Sequence, residues 1–383
     1  NSAFVGSAAN GSLLLRPAAG QQVLVDGVAF QSLLDRLDAQ REQISKLNRK
    51  LSSHLTGLKC NAATADTTSI VGLGGTDMWR GGVAALNGKI YGIPHTARAV
   101  LIIDPASNTV DVTSIVVLSE GSEWMGGVLA GNGKIYGMPS NANAVLVIDP
   151  TTNAVDYTTI TVPDGNAKWN FGALAGNGKI YGTPRLATSV LIVDPATNAT
   201  DTTSMAGFDA TGLRWYGGTL AGNGKIYCMP FDASQVLIID PATNTTDTTS
   251  ITGLAAGSAK WWSGVLAANG KIYGIPRDAT SVLIIDPTTN TADTTTMAGL
   301  SSGTSVNKWT GGVLGPNGKI YGIPLSATSV LIIDPATNTT DTTSLTVPAS
   351  DLKWRGGVLA DNGKIYGIPA NADSALIIHS ICT

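Results

Sequence analysis

The chain has 383 residues, of which 45 are glycine and only 13% are charged, and its formal net charge is −3. Nucleic acid is therefore not expected as a partner, because phosphate binding requires a concentrated basic surface. Uninterrupted apolar stretches such as 99–103 are far too short to span a membrane, and the composition favours a turn-rich all-β protein.

Residues 1–27 predict a short β or extended shaft segment. Two apolar runs within 12–27 flank a Pro-Ala-Ala-Gly sequence, which is typical of two short strands around a turn. Such segments resemble the β-structured shafts that precede coiled coils in fibrous adhesins and virus fibres. The segment begins at Asn1 without a signal-peptide pattern, which favours a processed, mature form.

Residues 28–58 predict a coiled-coil helix. Apolar residues recur at alternating steps of three and four over about four heptads, with charged residues between them. The alternative is an amphipathic helix packed on the following domain, but the narrow seam favours an intermolecular coiled coil. We expect a homo-oligomer, with a trimer favoured over a dimer. The expected oligomerisation residues are Phe30, Leu33, Leu37, Gln40, Ile44, Leu47 and Leu51.

Residues 59–383 contain a sevenfold repeat that opens on tryptophan and recurs every 45 to 48 residues. Asn-Gly turns, together with Tyr-Gly-x-Pro and Asp-Pro-x-Thr-Asn turns in most copies, divide the repeat into four short strands, which in the fifth copy fall at 264–267, 271–275, 281–285 and 291–297. Seven such units predict an all-β, seven-bladed β-propeller, with a solenoid as the alternative. The opening residues are Trp79, Trp124, Trp169, Trp215, Trp261, Trp309 and Trp354.

The two ends of the repeat region predict ring closure. Residues 65–70 read as a fourth strand without predecessors, and the last copy stops after its third strand at 375–378. Alignment of the copies places Cys60 and Cys382 at one turn and predicts a disulfide, which implies an oxidising compartment; two free thiols are the alternative. Cys228 replaces a repeat glycine and is predicted to be a buried thiol without chemistry.

The unit containing Gly-Lys-Ile-Tyr and Val-Leu-Ile-Ile-Asp-Pro-Ala-Thr-Asn-Thr resembles the YVTN-type propeller repeats of surface-layer and other extracellular proteins. The resemblance covers about residues 60–383, with Tyr-Gly-Ile-Pro in place of the Tyr-Val-Thr-Asn tetrapeptide. The repeat is more loosely similar to arrays in algal extracellular proteins. These resemblances imply the propeller fold and an extracellular or cell-surface location, and they imply no reaction.

No catalytic, phosphate-binding or metal-ligand motif stands out. Among the three histidines, His95 alone lies in a loop suited to a ligand, and Arg80 and Arg355 have no obvious carboxylate or histidine partner. The repeated aspartates are interpreted as turn caps. The repeated tryptophans are interpreted as packing between blades, with a sugar-stacking ring as the alternative. We therefore predict that the chain is not an enzyme and has no cofactor and no metal.

Differences between the copies indicate one candidate binding face. The residue after each tryptophan and the loop after each second strand vary, and both are expected near the mouth of the propeller channel. A rim of arginine, aromatic and asparagine residues suits a glycan or a protein partner, although drift in loops would look the same. The candidate residues are Arg80, His95, Met125, Asn170, Arg185, Tyr216, Phe231, Trp262, Arg277, Thr310 and Arg355.

The sequence favours a non-enzymatic extracellular structural or adhesive protein. In this interpretation a propeller head on an oligomeric stalk is a building block of a surface filament, hair or fibre. A carbohydrate-binding, lectin-like propeller is the first alternative, and a polysaccharide lyase or glycosidase is the second. Sequons predict glycosylation at Asn10, Asn198, Asn244 and Asn338.

Overall fold

The computed structural model describes residues 4–7, 13–16, 24–25, 28–29, 63–118, 121–301 and 306–380. The chain divides into two units, one of residues 1–61 with 382–383 and one of residues 62–381. Every regular element in the described residues is a strand. Cys60 and Cys382, and the sequon at Asn10, lie outside the described residues, so their disulfide and glycosylation stay predictions.

The first unit contains two antiparallel strand pairs. Strand β1 (Phe4–Ser7) pairs with β2 (Leu13–Arg16), and β3 (Leu24–Val25) pairs with β4 (Val28–Ala29). The strands at the N-terminal end agree with the predicted β segment.

The predicted coiled-coil helix over 28–58 is wrong, because its first two residues form a strand and the described residues contain no helix. The reason lies in the sequence Asp26-Gly27, a strong hairpin signal that outweighs the start of the heptad pattern. Residues 30–58, with the seam from Phe30 to Leu51, lie outside the described residues. The trimer, which was predicted from that seam, stays a prediction.

The second unit is a seven-bladed propeller of four-stranded antiparallel sheets. The first strands are β6 (Trp79–Ala84), β10 (Trp124–Leu129), β14 (Trp169–Leu174), β18 (Trp215–Leu220), β22 (Trp261–Leu266), β26 (Trp309–Leu314) and β30 (Trp354–Leu359). The second strands are β7 (Ile90–Pro94), β11 (Ile135–Pro139), β15 (Ile180–Pro184), β19 (Ile226–Pro230), β23 (Ile272–Pro276), β27 (Ile320–Pro324) and β31 (Lys364–Pro369).

The outer half of each blade is formed by the third and fourth strands. The third strands are β8 (Leu101–Asp104), β12 (Leu146–Asp149), β16 (Leu191–Asp194), β20 (Leu237–Asp240), β24 (Leu283–Asp286), β28 (Leu331–Asp334) and β32 (Leu376–His379). The fourth strands are β9 (Thr109–Asp111), β13 (Ala154–Asp156), β17 (Ala199–Asp201), β21 (Thr245–Asp247), β25 (Thr291–Asp293), β29 (Thr339–Asp341) and, in blade 7, β5 (Thr64–Asp66).

The predicted closure of the ring is confirmed. Strand β5 pairs with β32, with Asp66 opposite Ile377 and Ala65 opposite Ile378, so the N-terminal strand completes the last blade. Adjacent first strands contact one another all around the ring, including β30 against β6. An open solenoid would leave these two edges unpaired.

Turn chemistry ends the fourth strands earlier than the sequence predicts. In blade 5 the predicted strand 291–297 has only three residues, because Asp293 Oδ1 accepts hydrogen bonds from the backbone N–H groups of Thr295 (2.7 Å) and Thr296 (3.1 Å). Hydrogen bonding, first of all from the Thr296 side chain, lowers the pKa of Asp293 to about 2. The aspartates before proline also accept backbone N–H bonds, as Asp104 does from Ala106 (2.9 Å). The predicted turn-capping role is confirmed.

The apolar core lies between blades rather than inside them. One buried cluster joins Tyr91 and Ile93 of blade 1 to Trp124, Ile135 and Ile148 of blade 2, and equivalent clusters occur at the other blade contacts. The Trp124 indole N–H also donates to the Ala144 carbonyl at 2.9 Å. The opening tryptophans are therefore packing residues, as predicted, and not a sugar-stacking ring.

A belt of asparagine side chains links the blades at the Asn-Gly end of the ring. Asn87 Nδ2 donates to the hydroxyl of Tyr91 (3.0 Å) in its own blade and to the carbonyl of Pro150 (3.0 Å) in the next blade. Asn362 closes the ring by donating to the Pro105 carbonyl at 3.1 Å. The repeated asparagine and tyrosine are thus scaffold residues.

Candidate functional site

The candidate face lies at the end of the channel where first strands begin and second strands end. Trp79 pairs with Pro94 there, and the equivalent Trp–Pro pair occurs in every blade. Both sets of variable residues, those after each tryptophan and those after each proline, are therefore brought to this Trp–Pro end.

A continuous belt of backbone hydrogen bonds holds the Trp–Pro end together. The N–H of the residue before each tryptophan donates to the carbonyl of the residue after proline in the preceding blade, over 2.8 to 3.3 Å. A cross-blade bond occurs at every step around the ring, so the positions of the variable side chains are fixed relative to one another. The donor–acceptor pairs are Met78–Ala370, Glu123–His95, Lys168–Ser140, Arg214–Arg185, Lys260–Phe231, Lys308–Arg277 and Lys353–Leu325.

A cluster of mostly aromatic side chains fills the channel behind this belt. Tyr216 stacks on Phe231 and lies against Trp262, with 4.4 Å between ring centroids in each case. We call this the axial cluster. Its buried members are Met125, Tyr216, Phe231, Ala259 and Trp262, and the partly buried Phe171 and Leu213 pack against it.

Arginines lie on the axial cluster. Arg185 lies over the Tyr216 ring at 5.2 Å, Arg277 over the Trp262 ring at 5.5 Å, and Arg355 over the Trp262 ring at 5.6 Å. Stacking on aromatic faces orients a guanidinium and leaves its N–H edges for an acceptor. We call Arg80, Arg185, Arg277 and Arg355 the arginine layer.

Asp77 neutralises one part of the arginine layer. Its carboxylate accepts hydrogen bonds from Arg80, and Arg355 Nε lies 3.0 Å from Asp77 Oδ1, close enough for an ion pair but not aligned for a hydrogen bond. Burial alone would raise the pKa of Asp77, but the hydrogen bond and charge of Arg80 and the charge of Arg355 outweigh it, so the pKa is lowered. The expectation that Arg80 and Arg355 lack a carboxylate partner is wrong.

His95 is enclosed beside the same carboxylate. Its Nδ1 lies 3.0 Å from the Trp124 carbonyl and its Nε2 lies 3.7 Å from Asp77 Oδ2, and the side chain is 2% exposed. Burial, followed by the charge of Arg80, lowers the pKa of His95 to about 4. The imidazole is therefore neutral at neutral pH.

Several N–H donors of the site have no acceptor among the described residues. Arg185 Nε, Arg277 Nε and the Trp262 indole nitrogen are buried without a hydrogen-bond partner. Arg277 does donate through Nη2 to Asn307, and the nearby Asp278 accepts from the Asn307 backbone N–H at 2.6 Å. The site thus contains four arginines and two carboxylates. Its buried side-chain atoms without a hydrogen-bond partner are all N–H donors.

Two candidate residues serve the scaffold instead. Asn170 Nδ2 donates to the Trp215 carbonyl at 3.3 Å, and Thr310 Oγ1 donates to the Trp354 carbonyl at 3.1 Å, in each case across a blade boundary. Both side chains are fully buried. The structure brings the other nine candidates together, of which the aromatic ones are only 1–2% exposed, so a ligand would meet arginines first.

Asp77 was not among the predicted site residues, because those came only from the residue after each tryptophan and the loop after each second strand. The position two before the tryptophan differs just as much between copies, with Asp77, Ser122, Ala167 and Leu213 in the first four blades. Also absent from the prediction was a set of buried cations directly before the tryptophans. Lys168 is an example, since its Nζ donates to the carbonyls of Gly165 (2.8 Å) and Ala142 (2.9 Å).

At the second residue after each tryptophan, which is glycine in most blades, the backbones of neighbouring first strands approach each other without side chains between them. Gly81, Gly126, Gly311 and Gly356 have positive φ there, and an added Cβ on Gly311 would lie 2.7 Å from the Gly356 Cα. Blade 3 has Phe171 at this level, also with a positive φ of 40°. Such a backbone is unusual for a bulky side chain.

Known proteins support the fold but give no family. No family model and no curated protein matches the sequence. A catalytically inactive histidine-to-alanine variant of virginiamycin B lyase from Staphylococcus aureus, with quinupristin, aligns at a TM-score of 0.66 and 11% identity over 83% of this chain and all of that one. The extracellular domain of a putative hybrid two-component system from B. thetaiotaomicron aligns at 0.61 and 12% identity over 85% of this chain and 44% of that one.

These likenesses show a seven-bladed β-propeller, and the YVTN-type and algal resemblances are not confirmed. The prediction that the chain is not an enzyme is wrong, because the structures that share its fold include lyases. An enzymatic function is therefore not excluded. In the described part of the chain, no group of His, Cys, Asp and Glu could hold a metal, and no helix is long and apolar enough to cross a membrane.

Proposed function

We propose that the propeller binds an acidic saccharide, one that carries carboxylate or sulfate groups, at the arginine layer. The observation that carries this proposal is the set of buried, unpartnered N–H donors at Arg185, Arg277 and Trp262. A donor without an acceptor in a low-dielectric site is costly, and an anionic oxygen is the acceptor that satisfies it best.

The burial of the aromatic rings supports a site for an acidic sugar over a site for a neutral sugar. A neutral sugar is held largely by contact with open aromatic faces, whereas the faces of Tyr216 and Trp262 are covered by arginines and neighbouring rings. Negative charge on the ligand is therefore the property that we expect this site to recognise.

An extracellular location and an adhesive role are part of this proposal. Attachment to acidic glycans at a cell surface is an adhesive function that needs no stalk. The sequons at Asn198, Asn244 and Asn338 support the location, because these residues are exposed at turns. A protein partner at the same face is the competing interpretation.

Calorimetric titration at low salt tests the proposal. An oligogalacturonate and a sulfated oligosaccharide should bind, with affinity that decreases as salt is added, whereas a neutral oligosaccharide of equal length should not. Inorganic sulfate separates recognition of a saccharide from that of a bare anion, which should bind more weakly. Equal binding of neutral and acidic chains would contradict the proposal.

Variants of the arginine layer test its location. Arg185→Gln and Arg277→Gln should each weaken binding by about tenfold, the loss expected for one charge-assisted hydrogen bond. Lys134→Gln is the matched control, since it removes one positive charge from the pair with Asp149 on a blade surface. An unchanged affinity in both arginine variants would place the binding site elsewhere.

A second candidate function is elimination at the same site, supported by a neutral histidine next to arginines. A base would take the proton from the carbon next to a uronate carboxylate, and a carbon–carbon double bond would form as the adjacent C–O bond breaks. The departing oxygen would take up a proton from water and become the hydroxyl group of a new chain end. Arginines would stabilise the charge that develops on the carboxylate. His95 is the candidate base.

Ultraviolet absorbance of the new conjugated double bond measures this reaction. If elimination occurs, His95→Gln should abolish turnover and leave binding of the saccharide in place. Wild-type protein that binds oligogalacturonate but produces no absorbance change would rule the second candidate out.

A further inference from the structure

A groove lies beside the opening tryptophan of blade 1, at the Trp–Pro end and outside the arginine layer. Its volume is about 430 Å³, and residues 72–74, which enter blade 1 from the closing strand, form one wall. We call it the Trp79 groove. The side chains that distinguish it are those of Leu73, Met78, Trp79, Arg98, Val112 and Val116.

The Trp79 groove is long and radial. The strand order in blade 1 is β6-β7-β8-β9 from the channel outward. Met78 directly precedes β6, Arg98 lies between β7 and β8, and Val112 directly follows β9. The lining therefore extends over three strand spacings, about 14 Å. These dimensions suit an extended chain better than a compact group.

The copies of the repeat show that this groove is unusually apolar. The residue before the tryptophan is Lys or Arg in five blades and Glu in one, whereas blade 1 has Met78. The residue after the fourth-strand aspartate is Thr in five blades, whereas blade 1 has Val112. The position of Val116 is Thr or Ala in five blades. In blade 3, Lys168 and Thr202 line a smaller groove of about 300 Å³.

Apolar side chains remain uncovered along this groove. Val112 is 37% exposed and Val116 is 57% exposed. Val71, next to the lining residue Gly72 in the chain, is also 57% exposed. The scaffold does not require valine at positions 112 and 116, since other blades form the same turns with threonine or alanine. Neighbouring exposed valines beside a preformed groove gain most from contact with an apolar ligand.

Arg98 gives the Trp79 groove one positive charge. Its side chain is exposed and has no hydrogen-bond or ion-pair partner in the part of the chain that the structure describes. The equivalent residue is uncharged in five blades and is Asp373 in blade 7. A guanidinium pairs well with a carboxylate, because its N–H groups match the two oxygens.

We propose that the Trp79 groove binds an amphiphile with one extended alkyl chain and one carboxylate, as in a fatty acid. The alkyl chain lies against Leu73, Trp79 and the two valines, and the carboxylate pairs with Arg98. This inference is independent of the proposed function, because none of these residues belongs to the arginine layer.

Calorimetric titration with decanoate, below the concentration at which it forms micelles, tests the chemistry of the ligand. Decanoate should bind once per chain. Decylammonium, which has the same alkyl chain and the opposite charge, should bind at least about fivefold more weakly, and acetate should not bind. Equal affinity for the two ten-carbon compounds would overturn the recognition of a carboxylate.

Variants that restore the residues of the other blades test the location, and they preserve the fold because the repeat already contains them. Val112→Thr combined with Val116→Thr should weaken decanoate binding by about tenfold, through the loss of two buried methyl groups. Arg98→Thr should weaken it by about threefold, as expected for an exposed ion pair. Met78→Lys introduces the side chain found there in four blades and should weaken binding by at least about tenfold.

Lys134→Gln, which removes a charge from another blade surface, is the matched control for Arg98 and should bind decanoate as the wild type does. Arg277→Gln should also leave decanoate binding unchanged, although it weakens saccharide binding under the proposed function. Circular dichroism checks the fold of each variant. Unchanged affinity in both the double valine variant and Met78→Lys, or a loss in Arg277→Gln, would overturn the assignment to this groove. Failure of the wild type to bind decanoate would overturn the inference and leave the proposed function standing.

Discussion

Burial decides the charge state of the polar side chains around the axis. It lowers the pKa of Arg355 to about 10, assisted by the charge of Arg80, and it lowers the pKa of Lys353 to about 8. Both groups remain mostly cationic at neutral pH, whereas His95 does not. The axial site therefore combines cationic arginines, the Asp77 carboxylate and one neutral imidazole, and its charge is nearly constant from pH 5 to 7.

The pKa of His95 predicts a loss of stability in mild acid. As the pH falls below about 6.5, an unfolded chain binds a proton that the folded chain excludes until about pH 4. Stability should decrease across this window by up to about 3 kcal/mol and then level off. In His95→Gln this contribution is absent, so urea unfolding at pH 7.5 and 4.5 should show a smaller decrease. Parallel decreases in wild type and variant would contradict the assignment.

Carboxylates do not obscure this measurement. The turn aspartates Asp66, Asp156, Asp247, Asp293 and Asp341 have pKa values lowered to about 2. The stability that they contribute is fully present above about pH 5 and is lost mostly below pH 4. The small part lost by pH 4.5 is common to wild type and His95→Gln, so it cancels in the comparison.

The second strands show how neighbouring blades share volume. Gly137, Gly182 and Gly274 each lie against a large side chain of the preceding blade, the second of them with Met138 Sδ 3.3 Å from an added Cβ. In blade 4 the glycine is replaced by Cys228, and blade 3 has the smaller Thr183 opposite it, at 3.5 Å between Oγ1 and Sγ. The extra sulfur is thus accommodated by a shorter partner, and burial raises the pKa of Cys228 to about 12.

A double-mutant cycle measures the energetic coupling between the side chains at positions 183 and 228. Thr183→Ile should overfill the contact and cost about 1–3 kcal/mol, and Cys228→Gly should leave a cavity at a similar cost. The double variant restores the pairing of the other blades, so it should cost at least about 1 kcal/mol less than the sum. Urea unfolding gives the three values. Simple additivity would show that the two side chains do not share space.

The strand pattern was more predictable than the site. Asn-Gly, Tyr-Gly-x-Pro and Asp-Pro sequences define local turns, and their recurrence, seven times for Asn-Gly and six times for each of the others, predicted the blades and the ring. Turn caps explain why the fourth strands are shorter than predicted, whereas the first strands are longer and begin at the tryptophan, at Trp261 instead of residue 264 in blade 5. The predicted helix failed because a heptad pattern was preferred over the hairpin signal at Asp26-Gly27.

The chemistry of the axis depends on contacts that the repeat does not encode. The residues that differ between copies include Arg80, Trp262 and Arg355, and this variation predicted them as site residues. Their partner Asp77 precedes its tryptophan, and the burial of Trp262 follows from seven strands converging around one channel. The spacing of residues along the chain predicts neither the pairing of Asp77 with the arginines nor the burial of Trp262.

Closure is the feature on which the whole propeller depends. Blade 7 takes three strands from the end of the chain and one from residues 64–66, and the bond from Met78 N–H to the Ala370 carbonyl continues the backbone belt across this boundary. Ile70 is 2% exposed in the adjoining cluster, so the entering segment also fills the core.

Removal of the closing strand should open the ring. A chain that begins at residue 71 lacks β5 and Ile70, which leaves the edge of β32 unpaired and should cost at least about 3 kcal/mol. A chain that begins at residue 62 is the control, since both truncations lack Cys60. Thermal unfolding and light scattering should show a lower Tm and self-association for the shorter chain. Identical behaviour would mean that the ring is held closed by other contacts.

The Cys60–Cys382 disulfide stays a prediction that a direct experiment can check. We expect a bridged peptide in a non-reduced proteolytic digest, and alkylation of Cys228 alone after denaturation without reductant. A bridge across so long a loop would stabilise the closed ring by about 4–5 kcal/mol in the chain-entropy model. Alkylation of three cysteines would exclude it.

The asparagine belt contains the residues at which this protein is most susceptible to deamidation. Every blade carries Asn followed by Gly, the dipeptide whose side-chain amide hydrolyses most readily because the small glycine permits attack by the next backbone nitrogen. Deamidation at Asn87 would replace the amide that donates to Tyr91 and Pro150 with a carboxylate that only accepts. Each deamidation would add one negative charge and remove the asparagine hydrogen bond between one blade and the next. As the protein ages, we therefore expect a series of species that carry one, two or more additional negative charges. Each has lost the asparagine contacts at the same number of blade boundaries.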